Sequence, residues 1–215
     1  MRMYPMNFVR LLSVMHAHAR CRERSAEKKQ DKEAIKYRGI ERQTNRMKNL
    51  VDQLLQMTAI DRKGTTFSME DIDVRDVIES ACDDIAYIDT KQITFEYSFQ
   101  PTIIHANMNL IYIVINNLLS NAVKYSNEGT KIYVSCGEKD GKSYIRIQDE
   151  GCGIEKENIS KIFESFYREE KDRNAEGFGL GLSQAMKIAE LYGGGIYVES
   201  TKNKGSIFTF FIPKP

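Results

Sequence analysis

The chain has 215 residues, 41% of them hydrophobic, which is enough to bury a core in one domain or in a small domain followed by a larger one. Its formal net charge of +1 excludes a general attraction to nucleic acid or to an anionic membrane, so partners must be argued from individual sites. The four cysteines show no paired CxxC spacing, which favours neither a zinc site nor a disulfide framework and fits a reducing cytoplasm. No apolar run reaches the roughly 20 residues of a membrane-spanning helix, and no signal-peptide pattern is present, so we expect a soluble chain.

The first third of the chain is predicted to be helical. Residues 6–62 contain no proline and one glycine, Gly39, and their apolar residues recur at helical spacing in two runs separated by the charged stretch 22–33. We therefore expect an antiparallel helical hairpin over residues 1–63. Two amphipathic helices bury little by themselves, so a second copy is expected to complete a four-helix bundle. The alternative is that the hairpin packs on the rest of its own chain.

Residues 64–215 show a mixed pattern of helices and strands. Helices are predicted over 74–88, 107–125 and 182–192. Strands are predicted over 93–99, 131–136, 143–148, 195–199 and 206–213, and the last four form two hairpins around the turns EKDGK and TKNKG. The expected fold is α+β, a two-layer α/β sandwich in which helices cover one face of the sheet.

Four segments of the second part carry polar residues or glycines at spacings that are typical of a binding site. The segment NLLSNAVKYS, residues 117–126, places Asn117, Asn121 and Lys124 on one face of a predicted helix. It is followed by DEGCGI (149–154), IFESFYR (162–168) and GFGLGLS (177–183). Amide oxygens, a lysine and glycine-rich turns suit a metal ion and a phosphate chain, so the four segments together predict a nucleotide site.

In this order and spacing, the four segments resemble the N, G1, F and G2 boxes of the catalytic domain of sensor histidine kinases, members of the ATPase superfamily that includes gyrase, Hsp90 and MutL. The predicted helix NRMKNLVDQLLQMTAID resembles the second helix of the dimerisation and phosphotransfer domain of these kinases. The resemblance implies a partial dimerisation and phosphotransfer hairpin at 1–63 and a catalytic ATP-binding domain at 64–215. Such kinases transfer the γ-phosphoryl group of ATP to a histidine, and then to an aspartate of a response-regulator receiver domain.

The asparagine helix is expected to hold the metal and part of the phosphate chain. Magnesium takes oxygen ligands and keeps several waters, so one amide oxygen beside phosphate oxygens suffices, and Asn121 is the predicted ligand. Lys124, one turn on, can neutralise phosphate charge. Asn117 can orient the waters of the metal or support the helix face, and Tyr125 is expected to flank the nucleotide. Without the accompanying segments, these asparagines would be ordinary polar residues of a helix surface.

Asp149 follows a predicted strand and precedes two glycines, Gly151 and Gly153. A carboxylate there can accept a hydrogen bond from an exocyclic amine, which would select adenine over guanine, and glycines let the backbone approach a ring closely. The resemblance assigns the reading of adenine to Asp149. Taken alone, the pattern DxGxG is also a common turn composition.

Arg168 is a candidate contact for the γ-phosphate, because a guanidinium can stabilise charge that develops during phosphoryl transfer. Its alternative is an exposed arginine in a solvated loop. Phe163 and Phe166 are expected to pack this segment onto the domain, and residues 169–176 to form a lid over ATP.

The last glycine-rich segment leads into the predicted helix 182–192, whose first backbone amides favour anions, so the phosphates are expected to lie against this turn. Its expected nucleotide contacts are Gly177, Gly179, Leu180 and Gly181. Phe178 stands where many members of the family carry a small hydroxyl residue, so a side-chain hydrogen bond to phosphate is absent there.

The phosphoacceptor histidine of the family is followed five positions later by a proline. The N-terminal residues MRMYPMNFV resemble the tail of that motif with Pro5 as the proline, which puts the histidine one position before Met1. We therefore expect autophosphorylation by this chain alone to be doubtful, and any sensor and membrane segments to lie upstream. His16 and His18 are two apart on a predicted helix and lack a following carboxylate, so neither is a good substitute.

Two further functions remain open from the sequence. The chain could be a catalytically incomplete, kinase-like module that acts by dimerisation or by nucleotide-dependent interaction. It could also be a serine kinase of the anti-sigma type, although the second hairpin helix argues against that class. With the kinase interpretation, the expected cofactors are ATP and magnesium, the expected partners a response regulator and a second copy of the chain, and the expected location the cytoplasm.

Overall fold

The computed structural model describes residues 32–61, 66–89, 91–169 and 178–214. The chain forms two compact units, Met1–Asp61 and Arg62–Pro215. The first helix of the expected hairpin lies outside the described residues. Among the described residues, no helix is long and apolar enough to cross a lipid bilayer.

The described part of the first unit is one helix, α1, which spans Lys32–Asp61. No proline interrupts these 30 residues. Gly39 faces open space, since a Cβ added there would have no atom within 4 Å. Large apolar side chains recur every seven residues along one side of α1 and remain exposed: Ile40 by 45%, Met47 by 44% and Leu54 by 37%. A spacing of seven returns a residue to the same helical face, so α1 carries an exposed apolar stripe.

The second unit contains seven strands and three helices among its described residues. The helices are α2 (Val74–Ile88), α3 (Met108–Tyr125) and α4 (Gly181–Leu191). The strands are β1 (Glu70–Asp73), β2 (Thr94–Phe99), β3 (Ile103–Ala106), β4 (Lys131–Lys139), β5 (Lys142–Asp149), β6 (Gly195–Thr201) and β7 (Gly205–Pro213).

Five strands form the main sheet in the order β2-β4-β5-β7-β6, and β1 and β3 form a separate antiparallel pair. Strand β2 runs parallel to β4, whereas the other neighbours are antiparallel, with Ile147 of β5 opposite Phe208 of β7. Alternate residues of β5 are buried, from Ser143 to Asp149, as expected for a sheet with one covered face. The mixed sheet under a helical layer confirms the predicted two-layer sandwich.

The helical layer centres on α3, which contacts α2 on one side and α4 on the other and also packs on β5. The core is built from aliphatic side chains of both layers. Its largest fully buried members are Phe210, Ile72, Ile78, Ile111, Ile115, Leu118, Leu119, Ile132, Ile145, Ile147, Leu180 and Ile188. Burying each such side chain contributes about 1.5–3 kcal/mol to the stability of the fold. The buried face of α3 is therefore firmly packed, and this packing fixes the position of its polar face.

Two differences from the sequence prediction concern the strands. The four-residue strands β1 and β3 were not predicted, because the letters EDID and IIHA are too short and too mixed to show a period. The hairpin of β4 and β5 extends further than predicted, to a two-residue turn at Asp140 and Gly141. Both turn residues have positive φ, 51° and 71°, as the mirror-image turns of tight hairpins require.

Candidate functional site

The start of α3 is fixed by Asn107, whose Oδ1 atom accepts a hydrogen bond from the amide of Leu110 at 3.1 Å. This is an N-cap, which satisfies one of the amides that a helix start leaves without a partner. The backbone amide of Asn107 also donates to the hydroxyl of Tyr192 at 2.9 Å. The helix that carries the asparagine motif is therefore anchored at its first residue, and its last turns carry Asn117, Asn121, Lys124 and Tyr125.

Asn117 joins α3 to the beginning of α4. Its Nδ2 atom donates to Oε1 of Gln184 at 3.4 Å, and a Cβ added to Gly181 would lie 2.8 Å from its Oδ1 atom. The absence of a side chain at Gly181 thus lets α4 begin directly against Asn117. Asn121 is half-buried, and no hydrogen bond joins its side chain to another described residue, so its amide oxygen is available to a metal ion.

Lys124 and Tyr125 occupy the final turn of α3. The Nζ atom of Lys124 lies 5.0 Å from the centre of the Tyr125 ring, within the range of a cation–π contact. Both side chains are half-buried. The turn therefore brings a positive charge and an aromatic ring to one place.

Asp149 ends β5 as a buried carboxylate, only 5% exposed. Its Oδ1 atom accepts hydrogen bonds from the amides of Gly151 at 2.8 Å and Ser206 at 3.2 Å. Burial raises the pKa of Asp149 above its ordinary value of 3.8, and these two bonds oppose the shift. Among the described residues, no donor reaches Oδ2, so one oxygen is anchored and the other can accept a bond from a ligand.

The loop after Asp149 is attached to the end of α3. The amide of Cys152 donates to the carbonyl of Tyr125 at 3.2 Å. A Cβ on Gly151 would overlap that same carbonyl, so only glycine allows the loop to lie so close to the helix. This backbone hydrogen bond therefore holds the loop that follows Asp149 against the end of the asparagine helix.

The hairpin of β6 and β7 holds the other side of this loop. Ser200 Oγ accepts a bond from the amide of Ile154 at 2.8 Å, and the amide of Asn203 donates to the carbonyl of Cys152 at 2.8 Å. Gly153 lies against the carbonyl of Thr201. Gly205 has φ +92°, and a Cβ there would overlap the carbonyl of Asp149.

Sequence reasoning missed this role of the β6–β7 hairpin. It assigned TKNKG only to a turn and did not include Ser200 or Ser206 in the site. The turn letters indicate a hairpin but not where its tip lies, because the contact joins residues about 50 positions apart, as in the pair Ile154 and Ser200.

The third and fourth motifs meet beside the start of α4. The amide of Phe166 donates to the carbonyl of Gly179 at 2.9 Å. Phe163 is half-buried, but Phe166 is 58% exposed with φ +67°, so the prediction that Phe166 packs onto the domain is wrong. Its backbone, rather than its ring, makes the contact. Gly177 and residues 170–176 of the expected lid lie outside the described residues.

The first turn of α4 presents backbone amides without a side-chain cap. Leu180 occupies the N-cap position and is buried, but it offers no side-chain hydrogen bond. The hydroxyl of Ser183 donates to the carbonyl of Leu180 at 2.9 Å rather than accepting from an amide. A helix start of this kind favours an anion. Arg168 and Phe178 are both half-buried.

Comparison with known proteins gives the family of the chain. The family model for histidine kinase-, DNA gyrase B- and HSP90-like ATPases matches residues 106–215, about half of the chain. The chain belongs to this ATPase family. The match starts just before α3 and includes every element that carries a predicted site residue.

Two relatives of the chain are a sensor histidine kinase and a sensor protein. The chain is 33% identical over 177 residues to the sensor histidine kinase WalK of Bacillus subtilis, a match that covers 80% of the chain and 29% of WalK. It is 35% identical over 181 residues to the sensor protein RprX of Bacteroides fragilis, covering 81% of the chain and 35% of RprX. The chain thus spans about a third of the length of these relatives.

A solved structure shows the same fold. Full-length ShkA, crystallised in complex with AMPPNP, matches with a TM-score of 0.81 at 20% identity, covering 97% of the chain and 44% of ShkA. At this identity the likeness shows the fold, and the family model shows that residues 106–215 are an ATPase domain of the histidine kinase-, DNA gyrase B- and HSP90-like type.

Proposed function

We propose that the chain binds Mg-ATP between the end of α3, the loop 149–154 and the start of α4, and supplies the catalytic half of a phosphoryl transfer to histidine. The observation that carries the proposal is the arrangement of Asp149. One carboxylate oxygen is fixed by two backbone amides, and the carboxylate sits in a loop bonded to the helix with the asparagines. The similarity to a sensor histidine kinase supports histidine as the acceptor of the phosphoryl group.

Asp149 would select the base. A carboxylate is acceptor-only when ionised, so its unanchored oxygen can take a hydrogen bond from the exocyclic amine of adenine but would face the carbonyl of guanine. Gly151 and Gly153 form the floor beside it, where the loop lies against backbone carbonyls of Tyr125 and Thr201. Tyr125 would flank the nucleotide.

A magnesium ion fits the residues of α3. The amide oxygen of Asn121 is a hard neutral ligand with no bond to another described residue, and magnesium takes few protein ligands when phosphate oxygens and waters complete its shell. When bound, the ion would neutralise charge on the phosphates. Asn117 is fastened to Gln184 and so supports the helix face, while Lys124 would meet phosphate oxygens from the next turn.

The phosphate chain would lie toward the start of α4. The uncapped amides that follow Leu180 support an anion there, and Gly179 and Gly181 keep side chains away from the turn. Gly177 would extend the same surface. Arg168 would contact the γ-phosphate as charge develops on it.

The reaction itself is proposed by analogy with the sensor kinases. A histidine ring nitrogen would attack the γ-phosphorus, the bond between that phosphorus and the bridging oxygen of ADP would break, and ADP would leave. The phosphoryl group would then pass to an aspartate of a response-regulator receiver domain. Because such regulators and ATP are found in the cytoplasm, we infer that the chain acts there.

Isothermal titration tests the assignment of the metal ligand. We expect ATP to bind more tightly with Mg²⁺ than with EDTA, and Asn121→Ala to remove most of that difference, about tenfold, while leaving Mg-free binding unchanged. Asn109→Ala, at an exposed position of the same helix, is the matched control and should behave like the parent chain. A full Mg²⁺ effect in Asn121→Ala would exclude Asn121 as a ligand.

Transfer is tested with γ-labelled Mg-ATP and the hairpin domain of a complete sensor kinase as acceptor. We expect acid-labile, base-stable phosphate on the acceptor with the parent chain, and labelling about 10- to 100-fold slower with Asp149→Asn at ATP concentrations below the parental Kd. Label that survives acid would indicate serine or threonine phosphorylation and contradict the proposed reaction.

The exposed stripe on α1 favours a second copy of this chain as a partner. Ile40, Met47 and Leu54 lie at the seven-residue spacing of a helix seam, and each is more than a third exposed. A parallel copy could bury the three side chains against their equivalents. We infer that the chain is a homodimer through the first unit.

A further inference from the structure

The C-terminal end of α3 has an unusually complete set of hydrogen-bond partners. The last four carbonyls of a helix have no partner within the helix and must find one elsewhere. Here the Nζ atom of Lys91 lies 2.9 Å from the carbonyl oxygen of Val123, 2.7 Å from that of Lys124 and 2.9 Å from that of Ser126. The remaining carbonyl, that of Tyr125, accepts the amide of Cys152.

Lys91 reaches these carbonyls from outside the helix, since it lies in the connection between α2 and β2. An ammonium group has three donors, and the three bonds use all of them. Its positive charge also lies at the negative end of the helix dipole, where a cation is favoured. A side chain more than 30 residues away in sequence therefore acts as the cap of α3.

The backbone of Lys91 is itself held in place. Asp89 accepts the amide of Lys91 on Oδ1 and the amide of Ile93 on Oδ2, both at 2.9 Å. The carbonyl of Lys91 accepts the amide of Gly129 at 2.8 Å. The ammonium thus projects from a fixed loop, which is what a positioning role requires.

We propose that Lys91 is a positioning residue for the nucleotide site, which it serves through the last turn of α3 without contacting the nucleotide. Lys124 and Tyr125 belong to the turn whose carbonyls Lys91 binds, and the carbonyl of Tyr125 joins that turn to the Asp149 loop. Loss of the ammonium frees the turn, and Lys124 and Tyr125 lose their fixed distance from Asp149. The inference rests on the proposed function.

The test is isothermal titration of Mg-ATP against the full chain and three variants. Lys91→Met keeps the length of the side chain but removes the charge and the donors, and we expect its Kd to rise about tenfold with an unchanged number of sites per chain. Lys91→Arg keeps donors and charge and should restore binding to within about threefold of the parent. Lys131→Met is the matched control, because Lys131 is an exposed lysine paired with Glu96 at 2.8 Å, and its Kd should be that of the parent.

Each outcome decides the proposal. A parental Kd in Lys91→Met overturns it, as does a fall in the number of sites at constant Kd, which is the result of a purely structural role. Failure of Lys91→Arg to improve on Lys91→Met also counts against it. If Lys91→Met does not melt cooperatively, Lys91→Gln, which retains an amide donor at a similar length, takes its place with the same criteria. Absence of ATP binding by the parent chain would instead refute the proposed function, and it is measured first.

Discussion

The carboxylate of Asp149 is 5% exposed, and its two hydrogen bonds come from neutral backbone amides rather than from a positive side chain. Burial of a charge with such partners costs free energy, which is why the pKa of this carboxyl is raised. A residue that existed only to stabilise the fold would not need the charge. A raised pKa of this kind is common at binding sites, which supports the role proposed for Asp149.

Replacing Asp149 by asparagine should separate stability from binding. A carboxyl with a raised folded pKa contributes fully to stability below the unfolded value of 3.8, and that contribution is lost as the pH rises through the folded value. Asp149→Asn keeps an oxygen for Gly151 and Ser206 without the charge. We expect its melting temperature without nucleotide at pH 7 to equal or exceed that of the parent, and this relative gain to vanish on acidification toward pH 4.

Thermal unfolding followed by circular dichroism at several pH values measures this difference. Glu138→Gln is the control, since Glu138 is an exposed carboxylate paired with Lys214 at 2.6 Å and should show no such gain. A melting temperature of Asp149→Asn well below the parental value at pH 7 would mean that the charge stabilises the fold, contrary to our account.

At the scale of elements, the β6–β7 hairpin and the Asp149 loop depend on one another. The tip of the hairpin donates to and accepts from the loop through Asn203 and Ser200, and Gly205 passes so close to Asp149 that a side chain cannot fit. The proposed base pocket therefore combines two elements far apart in the chain. A change in the hairpin should affect binding even though it touches no proposed ligand.

Gly205→Ala tests this dependence. The positive φ of +92° costs an alanine about 1–2 kcal/mol, and the overlap with the carbonyl of Asp149 adds about 1–3 kcal/mol. Gly141→Ala has a similar φ of +71° but meets no atom within 4 Å, so it carries only the first cost. Urea unfolding should show the larger loss of stability in Gly205→Ala, which should also bind ATP more weakly. Equal losses in the two variants would contradict the close approach.

The elements differ in how well the sequence predicted them. The helix predicted over 74–88 has those bounds in the structure, because its apolar period is regular and Asp73 caps it by accepting the amide of Arg75. The ordered motifs indicated Asp149 and the asparagines as parts of one site. Lys91 and Ser206 gave no local signal, since each acts on a segment more than 30 residues away, and a single sequence holds no record of such contacts.

At the scale of the whole molecule, the chain combines a long helix that exposes apolar side chains with a unit whose core is fully buried. The family model covers only the second unit, from residue 106 onward. The matches cover 29% of WalK and 35% of RprX, so the chain spans about a third of the length of these relatives. Because the chain matches only part of each relative, its dimerisation and its phosphoryl transfer are predictions that experiments on this chain must test.

Association through α1 is tested by light scattering coupled to size-exclusion chromatography. We expect the chain to elute as a dimer and Met47→Glu to shift it toward monomer, because a buried carboxylate at the seam would lack a partner. Asn49→Glu adds the same charge at an exposed position of α1 off the apolar stripe and should remain dimeric. A monomeric parent chain at micromolar concentration would refute the inferred dimer.

The central claim is that Asp149 reads adenine in a site for ATP, and competitive titration of Mg-ATP and Mg-GTP against the full chain tests it most directly. We expect ATP to bind at one site per chain, GTP to bind at least about a hundredfold more weakly, and Asp149→Asn to lose about 10- to 100-fold in affinity for ATP, the contribution of a hydrogen bond to a charged group. Equal affinity for ATP and GTP, or an undiminished affinity for ATP in Asp149→Asn, would contradict the account.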